Sequence, residues 1–342
     1  MYQFRNDYSV GCHPVVLEAL ANANTEHIVG YGADKYCQEC ADLIRELCKA
    51  PKAEVQFMVG GTQANLTAIA AFLRPWESVL SPFSGHINGH EAGAVEATGH
   101  KIIPIHTPVN GKLSPALLLP ILEECKDEHL TKPRLVYISD ATETGGVYTK
   151  AELSELSLFC RRHDLLLFLD GARLGCALTS QANDLTLPDI AELTDAFYIG
   201  GTKNGAMMGE ALVITNPALQ EDFFRIKKQR GAVLAKGWLL GVQFQALLQD
   251  GLYFTIAKHA VEVAQYLQGG LKNLGIPMMV DSPTNQIFPI VPNSLLPRLD
   301  KLCTYEVWGT ADESHTVVRL VASFATPLSS AEGLLKAIKD IT

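Results

Sequence analysis

Apolar positions along the chain fall into short solid runs separated by longer stretches with helical spacing. The runs are VQFMV at 55–59, KIIPI at 101–105, LVYIS at 135–139, LLLFLD at 165–170 and AFYIG at 196–200. Runs of this length, bounded by glycine and polar residues, predict strands buried on both faces. Between them, Asn65 to Leu73, Pro115 to Cys125 and Lys150 to His163 carry helical spacing and predict amphipathic helices. This alternation predicts an α/β fold, a mostly parallel sheet sandwiched by helices. From about Pro217 to Leu274 the pattern turns almost wholly helical, with WLLGVQFQALL at 238–248 the most apolar stretch, and strand-like runs return at 286–291 and 317–322. The change predicts an N-terminal arm over 1–22, a large domain over 23–250 and a smaller α+β domain over 251–342. No internal repeat or low-complexity linker interrupts them.

Composition narrows the classes of function. A chain of 342 residues, 47% hydrophobic and 19% charged, can bury a large core and is not a disordered one. Its 28 basic against 37 acidic residues give a formal charge of −9, so no nucleic-acid partner is expected. No apolar run is long enough to span a membrane, and the opening MYQFRNDYSV has neither the basic nor the apolar region of a signal peptide. Neither a membrane span nor a signal peptide is therefore expected. Eight scattered cysteines fit a reducing compartment, and a cytoplasmic location is expected. Cys37 and Cys40 form a CxxC with no partner pair, so thiols on one helix face are expected there rather than a metal site.

Three motifs carry candidate chemistry. In Gly200-Gly-Thr-Lys203, a lysine follows a predicted strand between small residues. It reads either as an exposed turn or as an amine held for imine formation, with Gly200 and Gly201 letting the backbone approach a ring or phosphate and Thr202 adding a hydroxyl. Asp170 closes LLLFLD, where a carboxylate at the end of a parallel strand points into the ligand crevice of an open sheet. It reads as a helix N-cap or as the partner of a protonated pyridine nitrogen. At Gly60-Gly61-Thr62 a strand, a glycine turn and a helix start follow in order, either as a structural turn or as a seat for one small phosphate on free helix amides. The absence of GxGxxG and of a P-loop ending disfavours a dinucleotide or a nucleoside triphosphate, and with them a nicotinamide oxidoreductase. Arg319 stands in the apolar strand pattern VVRLVAS, where an unpaired guanidinium would be costly; a carboxylate ligand or a structural ion pair would each satisfy it.

Taken together, GGTQAN at 60–65, SGHINGHEAGA at 84–94, DATETGGVY at 140–148, DGARLG at 170–175 and GGTKNG at 200–205 resemble, in that order, the fold-type I pyridoxal-phosphate enzymes. The resemblance is closest to the threonine aldolase and β-eliminating lyase family and extends from Asp7 to Arg319. It implies a pyridoxal 5'-phosphate cofactor, with Lys203 as the Schiff-base lysine, Asp170 on the pyridine nitrogen, Arg173 and Thr202 on the cofactor side, and Gly61 and Thr62 on its phosphate. His86 is similar to the family's ring-stacking histidine, which helps position the water or base acting on the substrate hydroxyl; Glu91 is similar to the glutamate that follows it, and Arg319 to the arginine that grips the substrate carboxylate. Lys203, His86 and Asp170 are the implied catalytic residues. Tyr31 and Arg230 resemble residues that enter the site from a neighbouring subunit, which implies a homodimer or homotetramer. Asn6 stands where the family usually carries a serine that contributes to carboxylate binding. The implied reaction is cleavage of threonine or allo-threonine to glycine and acetaldehyde; β-elimination or transamination on the same cofactor is the alternative.

Overall fold

Why the apolar runs are so solid is plain in the computed structural model, which describes residues 1–340: they form a sheet covered on both faces. Its seven strands, in chain order, are β1 (Glu54–Met58), β2 (Glu77–Pro82), β3 (Ile102–Ile105), β4 (Lys132–Ser139), β5 (Leu166–Asp170), β6 (Ala196–Gly200) and β7 (Glu210–Ile214). They lie in the order β1-β7-β6-β5-β4-β2-β3. Pairing is parallel from β6 to β3, whereas β7 runs antiparallel to both β6 and β1. Every residue of β5, β6 and β7 is buried, as a central strand between two helical layers requires.

The predicted helices are present as Gly61–Phe72, Pro115–Glu124 and Lys150–Arg162. The last begins on a capping box, in which Thr149 and Glu152 bond reciprocally to backbone amides. Cys37 and Cys40 lie on the buried face of helix Lys35–Leu47, and burial pushes the Cys37 thiol up to about 12. A second apolar cluster joins Val263, Leu267 and Leu271 of helix Leu252–Asn273 to strand His315–Val321 and helix Leu328–Lys339. Strand His315–Val321 is sandwiched in an antiparallel sheet between Ile290–Pro292 and Glu306–Asp312. Helix Leu252–Asn273 serves both bodies, since the hydroxyl of Tyr253 near its start donates to the Gly200 carbonyl at 2.9 Å. Residues before position 8 cross to this second cluster: Tyr2–Gln3 pairs with Cys303–Thr304, and Phe4 is fully buried in it.

Candidate active site

At the C-terminal ends of β4, β5 and β6 the chain leaves the sheet in polar loops, and open α/β sheets place ligands at such ends. A cavity of about 470 Å³ opens there, lined among others by Gly61, Thr62, His86, Asp170, Arg173, Thr202, Lys203 and Arg319. Eight residues separated by up to 258 positions in the chain thus share one space.

Asp170 forms its floor, and four donors hold it. One carboxylate oxygen accepts from the Tyr198 hydroxyl and, at 3.0 Å, from the Ala172 amide. The other accepts from the Tyr137 hydroxyl at 2.5 Å and from Asn65 Nδ2 at 3.1 Å. The four bonds fix the orientation of the carboxylate at the base of the cavity. Asn65 also donates to Glu91 at 2.8 Å, and the same Glu91 oxygen lies 2.7 Å from His86 Nδ1. Burial alone would depress the His86 pKa, but the hydrogen bond to Glu91 and the nearby Glu143 and Asp170 carboxylates outweigh it and raise the pKa above its ordinary value. Glu91 is buried behind His86 and is not part of the cavity wall.

Lys203 lies just past β6 in a loop closed on itself: the Gly201 and Thr202 amides donate to the Gly209 carbonyl at 3.0 and 3.1 Å, and the Gly209 amide returns a bond to Thr202 Oγ1 at 3.0 Å. The glycines before it are packed closely against the protein. A Cβ at Gly200 would lie 2.5 Å from the Gly171 carbonyl oxygen, and one at Gly201 2.7 Å from the Phe244 ring and 2.8 Å from the Gly209 carbonyl oxygen, so the protein itself already requires glycine at both positions. Gly61 does border the cavity, and a Cβ there would stand 3.0 Å from the Tyr198 hydroxyl. Glu210, at the start of β7, completes the lysine's surroundings: it accepts from the Gly201 amide at 3.0 Å, and burial pushes its carboxyl up to about 8 against the pull of Thr202 and Lys203.

Arg173 faces the cavity, but its guanidinium is committed to Asp7 through bonds of 2.7 and 3.0 Å. Asn285 donates to the same carboxylate at 2.9 Å, so the first residues, the sheet and the smaller body meet here. Burial opposes ionisation of Asp7, yet Arg173 and Lys203 hold its carboxyl below the ordinary value. Arg319 enters from strand His315–Val321 and bonds Glu306, its cross-strand neighbour, while Nη1 makes a 3.4 Å bond to Gln286 and the guanidinium lies 5.2 Å over the Trp308 ring. Its Nε is buried without a partner.

Three expected residues stand apart. Asn6 does not line the cavity; its side-chain oxygen accepts from the Tyr8 amide at 3.0 Å and from Ser9 Oγ at 2.8 Å, and Tyr8 of the same arm borders the cavity. Tyr31, 54% exposed, borders a different cavity of about 430 Å³ beside Lys227, whose amine burial depresses to about 8. Arg230 is exposed at the end of helix Phe223–Gln229. Conversely, Asp7, Asn65, Tyr137, Tyr198 and Glu210 were not expected at the site. Of these, Asp7 and Asn65 lie within the stretches that carry the family resemblance, and Glu210 opens an apolar run as a lone charge.

Comparison with known proteins bears directly on this geometry. A family model described as beta-eliminating lyase matches residues 3–334. The chain belongs to the beta-eliminating lyase family. Within it, the chain is 34% identical over 296 residues to a low specificity L-threonine aldolase of a Pseudomonas species, covering 84% of this chain and 83% of that one. It is 25% identical over 289 residues to the Escherichia coli protein of the same name, covering 84% of each. The solved structure of Leishmania major threonine aldolase superimposes with a TM-score of 0.98 at 46% identity, over 100% of this chain and 99% of that one. An aspartate aminotransferase of Thermus thermophilus shares the fold at a TM-score of 0.75 and 15% identity, over 100% of this chain and 92% of that one. Among the described residues, no helix of this family member is long and apolar enough to cross a membrane.

Proposed function

We propose that the chain cleaves threonine or allo-threonine into glycine and acetaldehyde, using pyridoxal phosphate. One observation carries this reading: Lys203, Asp170, His86, Arg319 and the helix start at Gly61 all border one cavity, of a size usual for cofactor pockets. The residues present suit that cofactor. A lysine amine can hold it covalently, a carboxylate fixed by four donors can keep its ring nitrogen protonated, and free amides at the start of helix Gly61–Phe72 can hold its phosphate. When bound, the cofactor supplies an electron-withdrawing ring that takes up the electron pair released at Cα.

The chain's own groups do the rest. Arg319 binds the substrate carboxylate and so fixes which bond to Cα is presented for cleavage. His86 Nδ1 is committed to Glu91, which leaves Nε2 to accept the proton of the β-hydroxyl. As that proton leaves, the bond between Cα and Cβ breaks, acetaldehyde departs and Cα regains a proton to give glycine. Incubating the holoenzyme with threonine should release acetaldehyde, measured by a coupled alcohol dehydrogenase; release of pyruvate and ammonia instead would assign β-elimination. The protein should be yellow and should bleach with borohydride, and Lys203→Ala should lose both the colour and multiple turnover.

The positions of Tyr31 and Arg230 support a shared site. Both are exposed and outside the cavity of their own chain, as expected of residues that complete the site of a second copy. Mixing inactive Lys203→Ala subunits with weakened Arg230→Ala subunits should then restore activity, because one site of each hybrid carries neither change. Failure of mixing to restore activity, with hybrids shown by mass to form, would place each site within one chain.

A further inference from the structure

Asn65 occupies an unusual place for its residue type. It is fully buried in the interior of helix Gly61–Phe72, where asparagine is a poor helix former, so its side chain rather than its propensity must account for it. Its amide nitrogen has two hydrogens, and both are used: one bonds Glu91 Oε1 at 2.8 Å, the other Asp170 Oδ2 at 3.1 Å. The cost of this placement is visible, since Asn65 Oδ1 and Glu91 Oε2 are both buried with no hydrogen-bond partner.

We propose that Asn65 is a positioning residue that ties the histidine wall of the cavity to its aspartate floor, sharing the two hydrogens of one amide between Glu91 and Asp170. The geometry makes an unbroken chain. His86 meets Glu91 Oε1, Asn65 donates to that same oxygen, and the Asp170 oxygen at its other end also accepts from Tyr137. Each residue type is restrictive at this point. Aspartate would put a third carboxylate against two others, and serine has a single hydrogen to give.

The bridge has a consequence for His86. A hydrogen bond donated to Glu91 stabilises its charge and so limits how strongly it holds a proton on His86. Of the other charged groups that line the cavity with His86, Glu143 and Asp170 favour its protonated form and Lys203, Arg173 and Arg319 are cations, while the His90 ring lies 5.7 Å away; of these Asn65 donates only to Asp170. The inference deepens the reading of the site as a pyridoxal-phosphate aldolase, because it names what sets the proton affinity of that site's base.

The test is the titration of His86 in the holoenzyme, followed by NMR and assigned by loss of the signal in His86→Gln. Asn65→Leu fills a similar volume without an amide. It should raise the His86 pKa by about one unit, the equivalent of one hydrogen bond to a charged group. The acid limb of kcat/KM should move up with it, and kcat should fall by about tenfold or more while KM stays within about threefold. Tyr137→Phe, which touches Asp170 but not His86, should raise the same pKa by roughly 0.3 unit through the shared amide. That smaller shift should vanish in the Asn65→Leu background. An unchanged His86 titration in folded Asn65→Leu would overturn the proposal. Should that variant fail to fold, an unchanged titration in Tyr137→Phe would overturn it as well. Because NMR reads the imidazole without turnover, a wild-type protein that releases no acetaldehyde would count against the proposed reaction and leave this result standing.

Discussion

The two ends of the cavity are built differently. At the floor, Asp170 is held by four donors drawn from β4, β6, helix Gly61–Phe72 and the turn just after β5. At the rim, Arg319 rests on one partly exposed carboxylate, Glu306, and on a 3.4 Å bond to Gln286, with one nitrogen unpartnered. The floor is preorganised and the rim is held loosely. That division suits a site in which one end keeps a resident cofactor through every turnover while the other must release a product each time.

Breaking the floor should therefore cost most. Asp170→Ala strands the donors of Tyr137, Tyr198 and Asn65, and at about 1–3 kcal/mol each for an unpaired buried group the folded state should lose about 3–5 kcal/mol or more. Denaturant titration measures that loss, and threonine cleavage should fall at least about a thousandfold. An equally stable variant would show that the four bonds do not preorganise the floor.

At the rim the expected effects are smaller and fall on binding. Arg319→Ala should raise KM for threonine by about 10- to 100-fold with a lesser change in kcat, as loss of a charge-assisted bond to the substrate predicts. Glu306→Gln should change KM by no more than about threefold, because a partly exposed ion pair contributes little. A collapse of kcat in either variant would show that rim and floor act as one unit.

The effect at Glu210, which sits at the floor without touching Asp170, shows only in the pH dependence of stability. Its folded carboxyl lies at about 8, above an unfolded value of about 4.3, so the folded state loses stability as pH rises through that interval. Glu210→Gln should leave melting unchanged near pH 4 and raise it by a few degrees near pH 8. Equal melting of the two proteins at pH 8 would mean that a neighbour compensates the buried charge.

How far the sequence could be read follows from the same contrast. The runs that became β4, β5 and β6 were legible because strands buried on both faces must be apolar, and the edge strands β1 and β3, only partly buried, because they keep an apolar face on the core. Strand β2 was not, because Glu77, Ser78 and Ser81 interrupt it, and a charge in a buried strand is tolerated only through distant or local partners such as the Arg74 amide, 2.8 Å from Glu77. Strand β7 was hidden by a glutamate at its head and a glycine-methionine loop before it. Within the site, Lys203, Asp170, His86 and Gly61 were legible since they sit in polar turns at element ends. Tyr137 and Tyr198 sit inside apolar runs and read as core, and Asp7 meets Arg173 across 166 positions, a distance no local pattern spans.

That last contact has a consequence for how the molecule is made. Asp7 precedes Asn285, which shares its carboxylate, by 278 positions, and Cys303–Thr304 and Val321, which receive the segment around Phe4, come later still. Until they emerge, the segment around Phe4 lacks the strand it pairs with and the Asp7 carboxylate has Arg173 but not Asn285 as a donor. The Asp7 corner of the cavity is therefore completed only once position 285 has been made, and a chain that stops short of it should leave the Asp7 carboxylate without its Asn285 donor.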